Sequence, residues 1–493
     1  MERAQQLSAS ALALRGVALR LACLALLTLA LASALSSWFL ACLPGGEGLC
    51  SLDFYVFWTG STALHSGLNT DVYSPVEAVR LGDHFSNVAA SSGNVRMSHA
   101  AALFPALQPV STPFLFSAFS LWTGDSFERD AAIFFGVSVS CYVAALWHLT
   151  RIHQVAPLPA TAVGVAAFFP LSQISVDLQA GNVNGVQLAL FCAAVAAARA
   201  PRSWRSSLIV GSLLSAATLF KPNLATVPAL YVLHLFRQHR RGEACGVLAG
   251  GLAALIGVEL LVSSTWSYPT PWTAWAGAMH AFLLSPRPAS HSNSSLSSLV
   301  GDALGHSNVA VALLPLVAIC LGALAVLRIP RQSLRTPTAH LSARKLDTLV
   351  LYAGAAVGVV CSKPMWSHYL ALLVPCALEA TFPLLAAERD SRPFRWLSTA
   401  MTLAVPVVSL PLITAVLGLS CSASVVAWSQ ALYAICIYGV VLGRTVGART
   451  TGASDRTPST RTGTQSRRYP PRYGWRWKEV PERSVRRKRS PDL

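Results

Sequence analysis

Charge is scarce in this 493-residue chain: Asp, Glu, Lys and Arg make up 12% of it against 53% hydrophobic residues. So little polar side chain cannot cover the outside of soluble domains, which excludes a water-soluble multidomain protein and predicts a polytopic membrane protein built of helices. Acids are scarcer than bases, 21 against 38. No CxxC pair occurs among the eleven cysteines, so neither a zinc site nor a dithiol redox centre is expected. Nothing in the residues calls for a metal or a cofactor. Cys23, Cys141, Cys192, Cys320 and Cys436 lie in apolar runs and read as small buried hydrophobes. Cys42 and Cys50 flank the Gly-containing link Leu43–Leu49, where a disulfide is one expectation.

The formal net charge of +17 first suggests nucleic acid, but its distribution points elsewhere. Residues 444–493 carry fourteen basic side chains against four acidic ones, so more than half of the excess sits in one tail rich in Arg, Ser, Thr and Pro. That composition is typical of disorder, and on a cytoplasmic leaflet it would meet anionic lipid. The division expected is therefore a membrane domain, 1–443, and a basic cytoplasmic tail, 444–493, with membrane lipids as partners and no nucleic acid.

Arg3, Arg15 and Arg20 precede or enter the first apolar run, Gly16–Leu43, and place the N-terminus in the cytoplasm. The run is too long for the core of a signal peptide. Residues 45–130 then form a first outer loop, with an amphipathic piece at Asp53–Ser66 and a polar stretch at Asp83–His99. Within it Leu103–Trp122 is apolar but interrupted by Pro105, Pro109 and Pro113. If that segment crossed, every later basic loop would face outward, so it is assigned to the outer surface instead. The remaining spans are Ala131–Leu149, Leu158–Ser175, Val183–Ala198, Ser207–Phe220, Asn223–Phe236, Cys245–Ser263, Asn308–Leu327, Leu346–Cys361, Tyr369–Ala387, Leu397–Leu419 and Ser424–Leu442. With the first run this makes about twelve transmembrane helices in an all-α protein, both termini in the cytoplasm, in the plasma membrane. Each span is close to the ~20 residues a bilayer core needs, apart from the two short ones between Ser207 and Phe236.

This threading gathers Asp53, Asp71, Asp177, Asn182, Asn184, Lys221, Trp266, Tyr268, Asn293, Lys363, Trp366 and His368 on the outer face. Asp53 follows the first span directly and precedes Phe54, Tyr55, Phe57 and Trp58. A carboxylate at the interface suits general-base work on a hydroxyl, while the plain alternative is an N-cap for a helix Phe54–His65. Lys221 and Lys363 stand where the positive-inside rule disfavours them, which suggests an anionic ligand, or else snorkelling side chains. Trp266, Tyr268, Trp272, Trp275 and Phe282 read either as an interfacial belt or as stacking surfaces for a sugar and a slot for an isoprenoid chain. Asn293-Ser294-Ser295 fits a glycosylation sequon, a weak pattern.

Taken together and in order, Asp53-Phe54, Gly67 through Tyr73, Phe104-Pro105, Gly181-Asn182-Val183-Asn184, Lys221-Pro222, Asn293-Ser294-Ser295-Leu296 and Trp366-Ser367-His368 resemble a known family. It is that of integral-membrane glycosyltransferases of the GT-C fold that use polyprenyl-phosphate mannose, of the α-mannosyltransferase type found in actinobacterial cell-envelope assembly. The likeness extends from about Arg15 to Arg444. Two positions depart from it: Asn182 stands where the family usually has Gln, and Tyr369 where it has a second His. The resemblance implies a large first outer loop with juxtamembrane helices and a catalytic base at Asp53. It also implies inverting transfer of a mannosyl group from a polyprenyl-phosphate sugar donor to a glycolipid or lipoglycan acceptor outside the membrane. Candidates for donor binding are Lys221, Lys363, His368, Asn182, Asn184, Asp177 and Trp366. Alternatives are an arabinofuranosyltransferase using polyprenyl-phosphate arabinose, and a transporter or flippase for a lipid-linked sugar. No internal repeat supports the transporter.

Overall fold

A computed structural model of the chain describes residues 2–40, 51–379 and 423–447, apart from 67, 69–70, 108–110, 156, 170–171, 268, 286–294, 304–307, 330–336, 363–364 and 366. Every described element is helical. In order they are α1 (Glu2–Leu40), α2 (Leu52–His65), α3 (Pro75–Ser92), α4 (Val95–Leu103), α5 (Pro113–Ser120), α6 (Phe127–Ile152), α7 (Pro157–Ala167) and α8 (Gln173–Ala180). There follow α9 (Asn184–Arg199), α10 (Trp204–Phe220), a 3-10 turn Pro222–Leu224, α11 (Thr226–Arg237), α12 (Arg241–Thr265), α13 (Pro271–Leu284) and α14 (Leu296–Ala303). Then come α15 (Asn308–Arg328), α16 (Pro337–Cys361), a 3-10 segment Ser367–Leu373 and α17 (Ala423–Gly447). Among the described residues three helical stretches are long and apolar enough to cross a membrane: Val17–Leu40, Phe127–Ile152 and Arg241–Thr265. The span expected at Leu397–Leu419, the Cys42–Cys50 pair, Lys363, Trp366, Tyr268 and Asn293 lie outside the described residues, as does the tail beyond 447.

Local chemistry explains where the helices start. Asn94 accepts from the Met97 amide at 2.9 Å, Thr112 begins α5 just ahead of Pro113, and Ser172 accepts from the Ser175 amide at 3.0 Å. Ser203 and Ser206 cap α10 reciprocally, each side chain taking the other's backbone N–H. Several sequence expectations change here. The apolar stretch Leu103–Trp122, expected as a surface helix that does not cross, is no single helix: α4 ends at Leu103 and α5 runs for 8 residues, too short to cross a bilayer, in keeping with its not being a span. The expected span Leu158–Ser175 is likewise broken, into α7 and α8, so Asp177 lies inside a short helix and not in a loop beyond a span. The α2 segment is not amphipathic either. Phe54 through Ser61 are buried all round, as a helix embedded in a core must be. Cys320 and Cys436, expected inside, lie on exposed apolar surface.

Two apolar clusters flank the middle of the chain. One joins α6, α9, α10, α11 and α16 through Tyr142, Leu188, Leu214, Leu235 and Tyr352. The other is mostly aromatic and encloses α2: Phe54 meets Phe119, Phe127 and Phe134 at 6.1, 5.5 and 5.4 Å between ring centres. Trp58 ties α2 to α6 by donating to Asp130 at 3.1 Å. Helices α10 and α12 lie backbone to backbone because Gly211 and Gly250 present no side chain where the Val247 and Leu208 carbonyls pass. The helix that bears Asp53 is thus rooted in packed rings, a rigid mounting for its carboxylate.

Candidate active site

Asp53 enters the site by way of the turn before it. Ser51 takes a left-handed backbone conformation (φ 53°) and its amide donates to the Gln179 carbonyl at 2.6 Å, fastening the start of α2 to the end of α8. Gly181, at φ 70°, lets the chain turn from α8 into α9. A Cβ there would lie 2.6 Å from the Cβ of Phe54, so only glycine lets the two turns approach this closely. Asp53 is the second residue of α2 and Ser51 its cap, so the capping role expected of Asp53 does not hold. Its carboxylate instead accepts from the side-chain amide of Asn182.

Asn182 is the hub. Its Oδ1 accepts from the Lys221 ammonium at 2.8 Å and from the Val183 amide at 2.7 Å. Both partners are donors, which fixes the amide's orientation, so Nδ2 faces Asp53 Oδ2 and, at 3.0 Å, His368 Nε2. An amide N–H pointing at Nε2 needs a lone pair there, so His368 is neutral with its proton on Nδ1. His368 Nε2 lies 3.8 Å from Asp53 Oδ2. Acid, amide, ammonium and imidazole come from four separate places in the chain: the start of α2, the α8–α9 turn, the end of α10 and the 3-10 segment after α16.

The four are not equally enclosed. Asn182 is fully buried and Lys221 and His368 nearly so, whereas Asp53 keeps 17% of its side-chain surface open. The acid is therefore the most open of the four. Burial pushes its carboxyl above the ordinary carboxylate range, against the opposing pull of the Lys221 charge and the Asn182 hydrogen bond. Burial pulls Lys221 down, and the Asp53 and Asp177 charges hold it up. The ammonium also lies 5.1 Å from the ring centre of Tyr369 and 5.9 Å from that of Phe57.

Behind this layer stands a second one. Asp177 is completely buried and accepts from the Tyr142 hydroxyl at 2.7 Å and from the Asn184 amide at 2.7 Å. Its own carbonyl accepts the backbone amides of Gly181 and Asn182, which braces the turn carrying the hub. Gln187, one turn beyond Asn184 on α9, donates to the Lys221 carbonyl at 3.1 Å, to that of Ala217 at 2.8 Å and to Asn223 Oδ1 at 3.0 Å. Tyr142 and Gln187 were absent from the sequence expectations. The available signal was that each is a polar group inside an apolar run.

Of the expected site residues the structure therefore unites Asp53, Asp177, Asn182, Asn184, Lys221 and His368. It takes others away. Trp266 is buried against Tyr73, with stacked rings 5.7 Å apart, and donates to Ser117 at 2.9 Å, so it packs and does not face a sugar. Asp71 accepts from the Tyr73 amide two residues on, within the turn that leads into α3. Trp272 reaches Glu259 on α12. No cluster of three or more metal-ligating side chains occurs among the described residues.

A carboxylate, an amide, an ammonium and an imidazole thus meet where several helices begin or end. Residues 107–351 match the model of glycosyltransferase family 87. The chain is accordingly a transferase, a glycosyltransferase of the membrane. The matched stretch contains Asp177, Asn182, Asn184 and Lys221, and Asp53 and His368 lie on either side of it. No curated protein and no solved structure matches the chain.

Proposed function

We propose that the chain transfers a mannosyl group from polyprenyl-phosphate mannose to a hydroxyl of a cell-envelope glycolipid or lipoglycan, on the extracytoplasmic side, with Asp53 as general base. The fold is then of the GT-C kind, many helices with the site at their outer ends. The observation that carries the reading is the partly open Asp53 carboxylate, joined through one amide to a buried ammonium. Asp53 removes the proton of the acceptor hydroxyl as its oxygen attacks the anomeric carbon. The bond from that carbon to the phosphate oxygen breaks, polyprenyl phosphate departs and the configuration inverts. A raised carboxyl makes a better base, and the low-dielectric surroundings strengthen the attraction of Lys221 for the charge gathering on the leaving phosphate.

Asn182 has a definite task in this scheme. By standing between Lys221 and Asp53 it prevents the ammonium from closing directly onto the base, which leaves the acid available to the hydroxyl and the ammonium to the phosphate. His368, neutral, holds the second Asn182 N–H and so the amide plane. Asp53→Asn in purified, folded enzyme, assayed with labelled donor and membrane acceptor lipids, is expected to lower transfer by about a hundred- to ten-thousandfold. Transfer near the wild-type rate removes Asp53 from the chemistry. Exchanging the donor for polyprenyl-phosphate arabinose in the same assay separates the two sugar specificities.

A further inference from the structure

The second buried carboxylate has no place in the chemistry just described. Asp177 has no exposed surface, and both of its oxygens are taken by neutral donors, the Tyr142 hydroxyl and the Asn184 amide. Among the described residues the positive charge that compensates it is that of Lys221, which also compensates Asp53. Two carboxylates share one ammonium in a poorly solvated space. A lipid-linked sugar phosphate brings one more negative charge, and it brings it to Lys221.

We infer that Asp177 takes up a proton when the anionic donor binds, so that donor affinity depends on pH through a group that never touches the substrate. The inference rests on the proposed donor site, because it needs a phosphodiester at Lys221. The step asks for the turn of one hydroxyl. A hydroxyl gives or accepts, so the Tyr142 oxygen that now donates to Asp177 Oδ2 is able to accept from a protonated Oδ2, its own proton turning away. The Asn184 amide keeps its bond to Oδ1 throughout. The proton comes from solvent, no bond to carbon is made or broken, and the site returns to its former net charge once the phosphate is in.

Among the described residues the titratable groups around Asp177 are Asp53 from α2, Tyr142 from α6, Lys221 after α10, and His368 and Tyr369 from the 3-10 segment; α1, α7 and α9, which also pack against α8, add none that bears on it. Burial lifts the Asp177 carboxyl to about 7, with Asp53 lifting it further and Tyr142, Lys221 and Asn184 opposing. That sets the window. Below about pH 7 the proton is already present and binding is insensitive to pH. Above it the free site is ionised, the bound site is protonated, and affinity falls as pH rises, by up to about tenfold per unit for one proton. A phosphodiester carries a fixed single charge across this range, so the ligand does not titrate and the change belongs to the protein.

The experiment is equilibrium binding of farnesyl-phosphoryl mannose to the full chain in detergent from about pH 6 to 9, with calorimetry in buffers of different ionisation heat to count protons. Wild type is expected to take up a fraction of a proton, approaching one, above pH 7 and to lose affinity there. Asp177→Asn is expected to bind with no slope. Tyr142→Phe removes a donor to the ionised form, so the slope is expected to begin at a higher pH. Tight binding of wild type that is flat across the range, or a slope unchanged in Asp177→Asn, overturns the inference and leaves the donor site standing. If Asp177→Asn fails to fold, an unshifted onset in Tyr142→Phe overturns it equally. No binding of the probe by folded wild type removes the donor site and the inference with it.

Discussion

Helix α10 has a buried polar cluster near each end, and the two are built on opposite plans. After its last residue stand Lys221, Asn182, Asp53 and His368; before its first stands Arg202, beside His234, Arg240, Glu243 and Asp347. At ~1.5 Å per residue the 17-residue helix separates them by roughly 26 Å. At the Arg202 end charges meet directly. Arg240 donates to Asp347 at 2.6 Å and grips Glu243 with two bonds of 2.8 and 2.6 Å, and His234 reaches Asp347 at 3.0 Å. At the Lys221 end an amide is interposed between cation and anion, and the anion keeps an open edge. A carboxylate clamped by guanidinium has little tendency to take a proton from a substrate. A carboxylate bonded to an amide retains it. The first cluster therefore fastens the loop before α10, the α11–α12 turn and α16, whereas the second is the one to which the proposed function gives the chemistry.

If that contrast is right, mutations at the two ends separate into losses of stability and losses of rate. The largest expected effect is at the closed end. Asp347→Asn removes the fully buried counter-charge of Arg240 and Arg202 and leaves them only Glu243, which is less enclosed; breaking a buried pair costs about 3–5 kcal/mol. Thermal unfolding in detergent should show a large drop, with transfer per folded molecule close to wild type. A fall in transfer with stability unchanged would place Asp347 among the reacting groups and undo the comparison. Next in size is Lys221→Ala. Losing a charged hydrogen-bonding group is worth about 1.5–3 kcal/mol, roughly ten- to a hundredfold in transfer efficiency, and it is expected chiefly as weaker use of donor. Arg202→Ala, read in the same assay, should leave transfer per folded molecule alone. Equal effects of the two would mean that Lys221 is a structural cation like its counterpart.

How much of this was legible beforehand differs between the two ends. Membrane character, helical class and the choice of Asp53, Asn182, Asn184, Asp177, Lys221 and His368 as candidates came from sequence, because charged and amide groups beside apolar runs are few enough to be noticed singly. Their mutual arrangement did not, since residues 53, 182, 221 and 368 meet only through packing. The closed cluster went unnoticed as a unit: Arg202, Arg240 and Glu243 look like ordinary loop charges in a basic region, and nothing local links them to Asp347 more than a hundred residues away. The division of Leu158–Ser175 into α7 and α8 was hidden for a related reason. Hydropathy averages over a window and does not register the break between Ala167 and Gln173, where Ser172 caps a new helix. The role of Asp53 as a cap was a sound local expectation. It was overridden because Ser51, bound to Gln179, already starts the helix and frees the acid for Asn182.

A smaller effect tests the close approach on which the reactive end depends. In Gly181→Ala the new methyl group meets Phe54 and the backbone must hold φ near 70°, a conformation alanine disfavours by about 1–2 kcal/mol. Relief by moving Phe54 shifts Asp53, its neighbour in α2. Stability should fall by about 1–3 kcal/mol, and transfer per folded molecule should fall with it. Loss of stability without loss of rate would show that the hub tolerates displacement of the acid, and the bond from Asn182 would then matter less than its position in the site implies.

The smallest expected effect belongs to the closed end and asks whether α10 transmits anything along its length. Ser203 caps the helix and shares reciprocal bonds with Ser206, one residue from Arg202. Ser203→Ala leaves the Ser206 amide without its side-chain acceptor and should cost about 1 kcal/mol. Because α10 is held laterally by α9 and by the close glycine contacts to α12, fraying of its first turn has no direct route to Lys221. The unfolding midpoint should therefore move down slightly while donor affinity and transfer rate stay at wild-type values. A change in donor affinity from this substitution would mean that the two ends of α10 are mechanically coupled, and the closed cluster would then have to be regarded as part of the apparatus that sets the height of Lys221 in the site.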